Sequence, residues 1–148
     1  MAKIRTVMVA SDFSQASRAA FARAVELAQA NRARLLVMHA LTLVAPLLSG
    51  EYMPPQTWDR IEAANRREAQ KQIEALVAKA KRAGVRATGL VMVGSPYEVI
   101  VRAARSKRVD VLVLGTHGRT GLPRFFLGSV ATRVLATARC PVLTVRGG

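Results

Sequence analysis

"VDVLVLG", residues 109–115, decides how this chain folds. All of it but Asp110 is valine, leucine or the closing glycine, so a strand built from it carries apolar side chains on both faces. Such a strand has to be buried on both sides, as in a parallel sheet sandwiched between helices; a half-solvated antiparallel strand would alternate.

Working back from it, "GSPYEVI" at residues 94–100 reads as a helix start. Ser95 can cap, Pro96 sits in the first turn and Glu98 completes a capping box, with the helix ending near Lys107. Residues 87–93 are a third strand. Before them, residues 58–83 form a long helix with Ala69, Ile73, Leu76, Val77 and Ala80 on one face, closed by Gly84 at C′. "LLVMHA" at 35–40 and "IRTVMVA" at 4–10 are the second and first strands. After "SDFS", Phe21, Ala24, Val25 and Ala28 recur at helical spacing, so the segment beyond Ser14 is an amphipathic helix. On the other side of the opening stretch, a helix over about 129–138 leads into "CPVLTVR" as a fifth strand. Residues 41–57, with three prolines and a glycine, follow neither period, and their role stays open.

Strands alternating with helices predict an α/β fold: a doubly wound, five-stranded parallel sheet with helices on both faces, because each crossover is right-handed and packs back on the sheet. In the order 3-2-1-4-5 the first and fourth strands are neighbours where the winding reverses, the place such sheets bind ligands beyond their carboxyl ends. Ser11-Asp12 and Gly115 stand at those two ends.

At 148 residues the chain has the length of one domain, 1–148. No apolar run approaches the roughly 20 residues that span a bilayer, and no signal-peptide pattern opens the sequence, so a cytoplasmic protein with no membrane partner is expected. A single cysteine, Cys140 before Pro141, excludes an intramolecular disulfide and reads as a core residue. With one Cys and two distant His there is no transition-metal constellation. His39, on a buried strand, reads as a hydrogen-bonded core residue rather than a ligand; His117, which could donate to a phosphate, reads first as a solvated loop residue. The net charge of +14 is the unusual quantity. A field of that size attracts polyanions and nucleotides alike, although many of the arginines between Asn65 and Arg108 fall on helix faces that are solvated in any case. No acid follows Asp110, whereas Arg119, Arg124, Arg133, Arg139 and Arg146 do, so the stretch after the fourth strand is cationic.

That stretch has the spacing Gly115-x2-Gly118-x9-Gly128-Ser129. Gly115 and Gly118 let the backbone turn and approach a ligand. Gly128 and Ser129 open a helix whose free N–H groups form an anion site. Spacing alone allows two readings, a phosphate site or a surface loop with Ser129 as an N-cap.

"GTHGRTGLPRFFLGSVATRVL", the ending "CPVLTV", the opening "VMVASDFSQAS" and "VGSPYEVI" resemble, in register over essentially the whole chain, the universal stress protein family in its ATP-binding branch. The resemblance implies a nucleotide-binding domain holding ATP at the ends of strands one, two and four, with any Mg²⁺ carried by the nucleotide. By position, Asp12 would meet the ribose or adenine and the backbone at Ala40 the adenine. Gly115, Thr116, Gly118, Gly128, Ser129 and Val130 would line the ribose and phosphates. The family often has Val where Ala40 stands, which a main-chain contact tolerates. The resemblance also implies a homodimer joined through the edge strand bounded by Val142 and Arg146.

The leading reading is an ATP-binding regulator of the stress response, a slow switch or sensor with an unnamed protein partner. One rival is a slow ATP hydrolase or transferase using the same pocket, for which the sequence offers no obvious base or γ-phosphate cation. The other is a polyanion binder, with weak, non-specific nucleic-acid binding driven by charge; aromatics are only 5% and no nucleic-acid motif is present.

Overall fold

The computed structural model describes residues 2–42, 52–117 and 127–147. Strands β1 (Thr6–Ala10), β2 (Arg34–Leu41), β3 (Ala87–Val93), β4 (Val111–Gly115) and β5 (Val142–Val145) alternate with helices α1 (Gln15–Asn31), α2 (Pro55–Arg82), α3 (Pro96–Ser106) and α4 (Ser129–Thr137). All pairings are parallel and the order is β3-β2-β1-β4-β5, as the sequence predicts. The two-sided burial of the opening stretch is real: Leu112, Val113 and Leu114 are all buried, odd residues facing one helix layer and even ones the other.

The two layers have different makeup. On one face Val7, Val9, Leu35, Val37 and Val113 meet Phe21, Ala24 and Ala28 of α1 and Ile73 and Ala80 of α2. On the other Met8, Leu36, Met38, Leu112 and Leu114 meet Val99, Ile100 and Ala103 of α3 and Ala131 and Val134 of α4. The alternation of side chains along each strand sends neighbours to opposite cores.

Ends are set locally. Ser14 caps α1, its hydroxyl accepting from Ser17 N at 3.2 Å. Gly84, at φ 82°, follows the end of α2 as expected. Helix α2 begins a turn earlier than the periodicity indicates, because Pro55 sits at the first helical position, where its fixed φ suits a helix and its missing N–H costs nothing. The predicted capping box of α3 is not formed: the Ser95 side chain makes no capping bond, and Glu98 accepts from the Tyr97 hydroxyl at 3.2 Å instead. The fourth strand starts at Val111, since Asp110 turns its carboxylate to the start of β1 and accepts from Arg5 N at 2.8 Å and Thr6 N at 2.9 Å.

Helix α2 packs tightly on the sheet at Gly89 of β3. A Cβ there would lie 2.4 Å from Cγ2 of the fully buried Ile73. Gly89→Val is therefore expected to destabilise the protein by about 2–3 kcal/mol through overpacking, read as a lower urea midpoint with an unchanged m-value; an unaltered midpoint would contradict this packing.

Candidate functional site

At the carboxyl edge of the sheet β1 stops short of its neighbours. Its last paired residue on the β2 side is Ala10, opposite Met38, and on the β4 side Val9, opposite Val113; β2 continues to Leu41 and β4 to Gly115. A crevice opens where β1 ends. In a parallel strand successive residues aim their backbone groups to alternate sides. Ser11 N donates to Met38 O and Gly94 N donates to Leu41 O, so even residues of β2 face β1 and odd ones face β3. Ala40, two beyond Met38, consequently aims its N–H and C=O into the crevice. On β4, Leu112 N donates to Pro141 O and Thr116 N to Val145 O, so even residues face β5 and Gly115 faces the crevice from the other side.

The first turn after β1 forms the floor. Ser11 hydroxyl donates to Ser17 Oγ at 3.2 Å and accepts from Phe13 N at 3.1 Å; Ser17 hydroxyl in turn donates to Ser14 O at 2.7 Å. Asp12 Oδ1 accepts from Ser14 N at 2.9 Å, which turns the chain into α1 and leaves the half-buried carboxylate on the cavity wall. Phe13 takes φ 65°, a left-handed backbone uncommon for a bulky residue, and stacks on His39 with ring centroids 4.4 Å apart. His39 Nδ1 lies 2.7 Å from Ser11 O. A carbonyl only accepts, so Nδ1 carries the proton.

The opposite wall is the start of α4. Gly128 N donates to Thr116 O at 2.7 Å, which ties the helix entrance to the end of β4. Among the described residues no side chain caps this helix, and the first N–H groups of any helix lack intrahelical partners, so its amino end is suited to receiving an anion. The resulting cavity, about 390 Å³, is lined by Ser11, Asp12, Ser17, His39, Ala40, Thr42, Gly115, Thr116, His117, Gly128, Ser129 and Val130. Ala10, Pro96, Ile100, Leu114 and Ala131 complete an apolar side. That is the size and makeup of a small-molecule or cofactor site.

Of the expected site residues, Asp12, Ala40, Gly115, Thr116, Gly128, Ser129 and Val130 all border this one cavity. Gly118, with Arg119 and Arg124, lies outside the described residues. Residues 3–146 match the sequence model of the universal stress protein family. The chain belongs to that family. A Thermus aquaticus member, the universal stress protein in the QAH/OAS sulfhydrylase 3′ region, is 36% identical over 142 residues, covering 96% of this chain and 98% of its own. Universal stress protein UspA from Lactobacillus plantarum shares the fold with TM-score 0.84 at 24% identity, over 99% of this chain and 100% of its own. A universal stress protein solved in complex with cAMP superposes with TM-score 0.63 at 29% identity, over 99% and 100% of the two chains.

Within this family member the sequence reading missed part of the site. His39 is half-buried and hydrogen-bonded as expected, but it also borders the cavity, and Phe13 stacks on it. His117, read as solvated, is half-buried at the cavity with Nδ1 2.9 Å from Thr116 Oγ1. The available signal was adjacency, since His39 precedes Ala40 and His117 follows Thr116. Cys140 is half-buried against the α3–α4 core rather than enclosed in it. Burial pushes its thiol pKa up, with the Asp110 charge adding to the rise and the backbone N–H groups of Cys140 and Leu112 opposing it, which disfavours the reactive thiolate. Among the described residues no three His, Cys, Asp or Glu gather as a metal site, and no helix is long and apolar enough to cross a membrane.

Proposed function

We propose that the protein is a cytoplasmic ATP-binding regulator of the stress response, holding the nucleotide in the crevice beyond β1. The observation that carries this reading is the convergence of main-chain groups: Ala40 from β2 and Gly115 from β4 aim at the same space that the α4 amino end borders. An adenine edge needs one donor and one acceptor side by side, which the Ala40 backbone supplies. Asp12 accepts from ribose hydroxyls, and Ser129, Val130 and the Gly115–Gly118 segment receive the phosphates. The cAMP complex of the relative supports an adenine nucleotide as the ligand class. Mg²⁺ would arrive on the phosphates with few protein ligands. Mass spectrometry of small molecules released from the purified, denatured protein is the deciding experiment: adenine nucleotide is expected among them, and another ligand class would overturn the reading.

The nucleotide is held rather than turned over. Helix-end N–H groups stabilise the bound triphosphate and its transition state about equally, which accelerates nothing. Asp12 sits at the nucleoside end, so no carboxylate among the described residues is placed to activate water at the γ-phosphate. Phosphate release at saturating Mg·ATP is expected well below the median enzyme turnover of about 10 s⁻¹; several turnovers per second, lost in Ser129→Ala, would make the hydrolase reading correct.

The edge strand β5 supports a homodimer. Leu143 is 41% exposed on a strand with one unpaired edge, and a second copy pairing there satisfies both the apolar surface and the free backbone groups. Light scattering at micromolar concentration is expected to give twice the chain mass, and a monomer mass with and without ATP would contradict it.

A further inference from the structure

Among the described residues, eleven lysine and arginine side chains gather on the edge of the sheet farthest from the nucleotide cavity. All five strands are parallel, so every segment leading into a strand lies at the amino edge. The segments entering β3 and β4 carry Lys81, Arg82, Arg86, Arg105, Lys107 and Arg108. Those entering β1, β2 and β5 add Lys3, Arg5, Arg32, Arg34 and Arg139, and all eleven side chains are exposed. The carboxylate there is Asp110, which accepts from Arg5 N and Thr6 N. The ion pairs Arg23–Glu26 and Arg66–Glu62 both lie within helices and draw nothing from this edge.

Ordinary structural causes account for only part of this charge. The four helices end at the amino edge, and their carboxyl ends carry about half a negative charge each, roughly −2 in total. Arg34 and Arg86 also serve the fold, donating to Thr6 Oγ1 at 2.9 Å and Arg32 O at 3.5 Å. The backbone at two other positions favours a different residue altogether. Arg32 (φ 53°) and Arg108 (φ 51°) are left-handed at helix ends, where α2 has Gly84. Two grooves flank the edge and are lined by these same cations: one of about 550 Å³ by Arg34, Lys81 and Arg86, the other of about 350 Å³ by Arg105, Arg108 and Arg139.

We infer that the amino edge is a docking face for the phosphate backbone of double-stranded nucleic acid, separate from the nucleotide cavity and independent of the reading of that cavity. Five strands at about 4.8 Å spacing make the face roughly 19 Å wide, and a duplex presents one charge per about 1.7 Å, or about eleven over that width. The edge segments hold no aromatic residue, so there is no stacking platform of the kind single strands require. They hold no large exposed apolar side chain to enter a bilayer either, because Tyr52, Ile61, Val93, Leu127, Leu135 and Leu143 all lie elsewhere. Contacts to phosphates alone fix position without reading sequence.

The test is fluorescence anisotropy with a random-sequence duplex of about 20 bp, titrated over about 50–200 mM salt. Four to five phosphate contacts predict a log–log slope of about −3.6 to −4.5. Arg32→Gly with Arg108→Gly removes two charges while relieving left-handed backbone, so the variant keeps its thermal midpoint. Its affinity at about 0.1 M salt falls at least about tenfold and its slope by about 2. The charge-matched pair Arg60→Gln with Arg67→Gln, on α2 and away from the edge, changes affinity less than about threefold, and saturating ATP does not displace the duplex. Equal weakening by both pairs would show a net-charge effect and overturn the inference. So would displacement by ATP, unchanged binding in the glycine variant, or tighter edge-dependent binding to vesicles containing anionic lipid than to the duplex.

Discussion

Asp12→Ala is expected to raise the dissociation constant for ATP from the micromolar range by about 10- to 150-fold in calorimetry. A micromolar complex corresponds to about −8 kcal/mol, and a hydrogen bond to a charged acceptor contributes about 1.5–3 kcal/mol of it when its loss leaves a ligand hydroxyl without a partner. The carboxylate is held on the cavity wall by the Ser14 N–H, and the turn that carries it is braced by the Ser11–Ser17 bond and by His39 on Ser11 O. Asp12→Asn separates charge from placement: its amide oxygen can still accept from Ser14 N, so it should lie between wild type and alanine. Gly118→Val tests the sequence pattern on its own terms, since a branched side chain where phosphates have to approach should cost at least as much. Wild-type affinity in both Asp12→Ala and Gly118→Val would remove the proposed site.

Asp110→Ala is expected to lower stability by about 3 kcal/mol, a substantial part of the 5–15 kcal/mol of an ordinary domain. The half-buried carboxylate accepts two backbone bonds, from Arg5 and from the buried Thr6, and bonds to a charged group contribute about 1.5–3 kcal/mol each before exposure is discounted. Its removal also takes the negative charge from an edge crowded with arginine and lysine. For a chain of this length the thermal midpoint should fall by roughly 6–12 °C. Added salt should restore part of the loss by screening the uncompensated cations. Asp110→Asn should recover part of it without salt. An unchanged midpoint in the alanine variant would mean that the strand start is held by other contacts.

The strand and helix pattern was legible because burial leaves a periodic trace along the chain. "VDVLVLG" has apolar side chains on both faces, and a strand of that kind is stable only between two helix layers. Boundaries were less legible where competing local bonds decide them. The Ser95-x-x-Glu98 pattern suits a capping box, yet the Tyr97 hydroxyl takes the Glu98 carboxylate, and Asp110 reads as part of a strand until β1 is beside it.

The glycine spacing, Asp12 and the motif resemblance were properties of the sequence alone, and so was the family to which the chain belongs. Which backbone groups meet in the crevice was decided only by the tertiary structure. It depends on β1 ending at Ala10 while β2 and β4 run on, and on the parity of the register that turns Ala40 and Gly115 toward the gap. The grouping of cations at the amino edge has the same origin. Their positions are spread from Lys3 to Arg139, and they become one surface because every crossover in a parallel sheet returns the chain to the same edge.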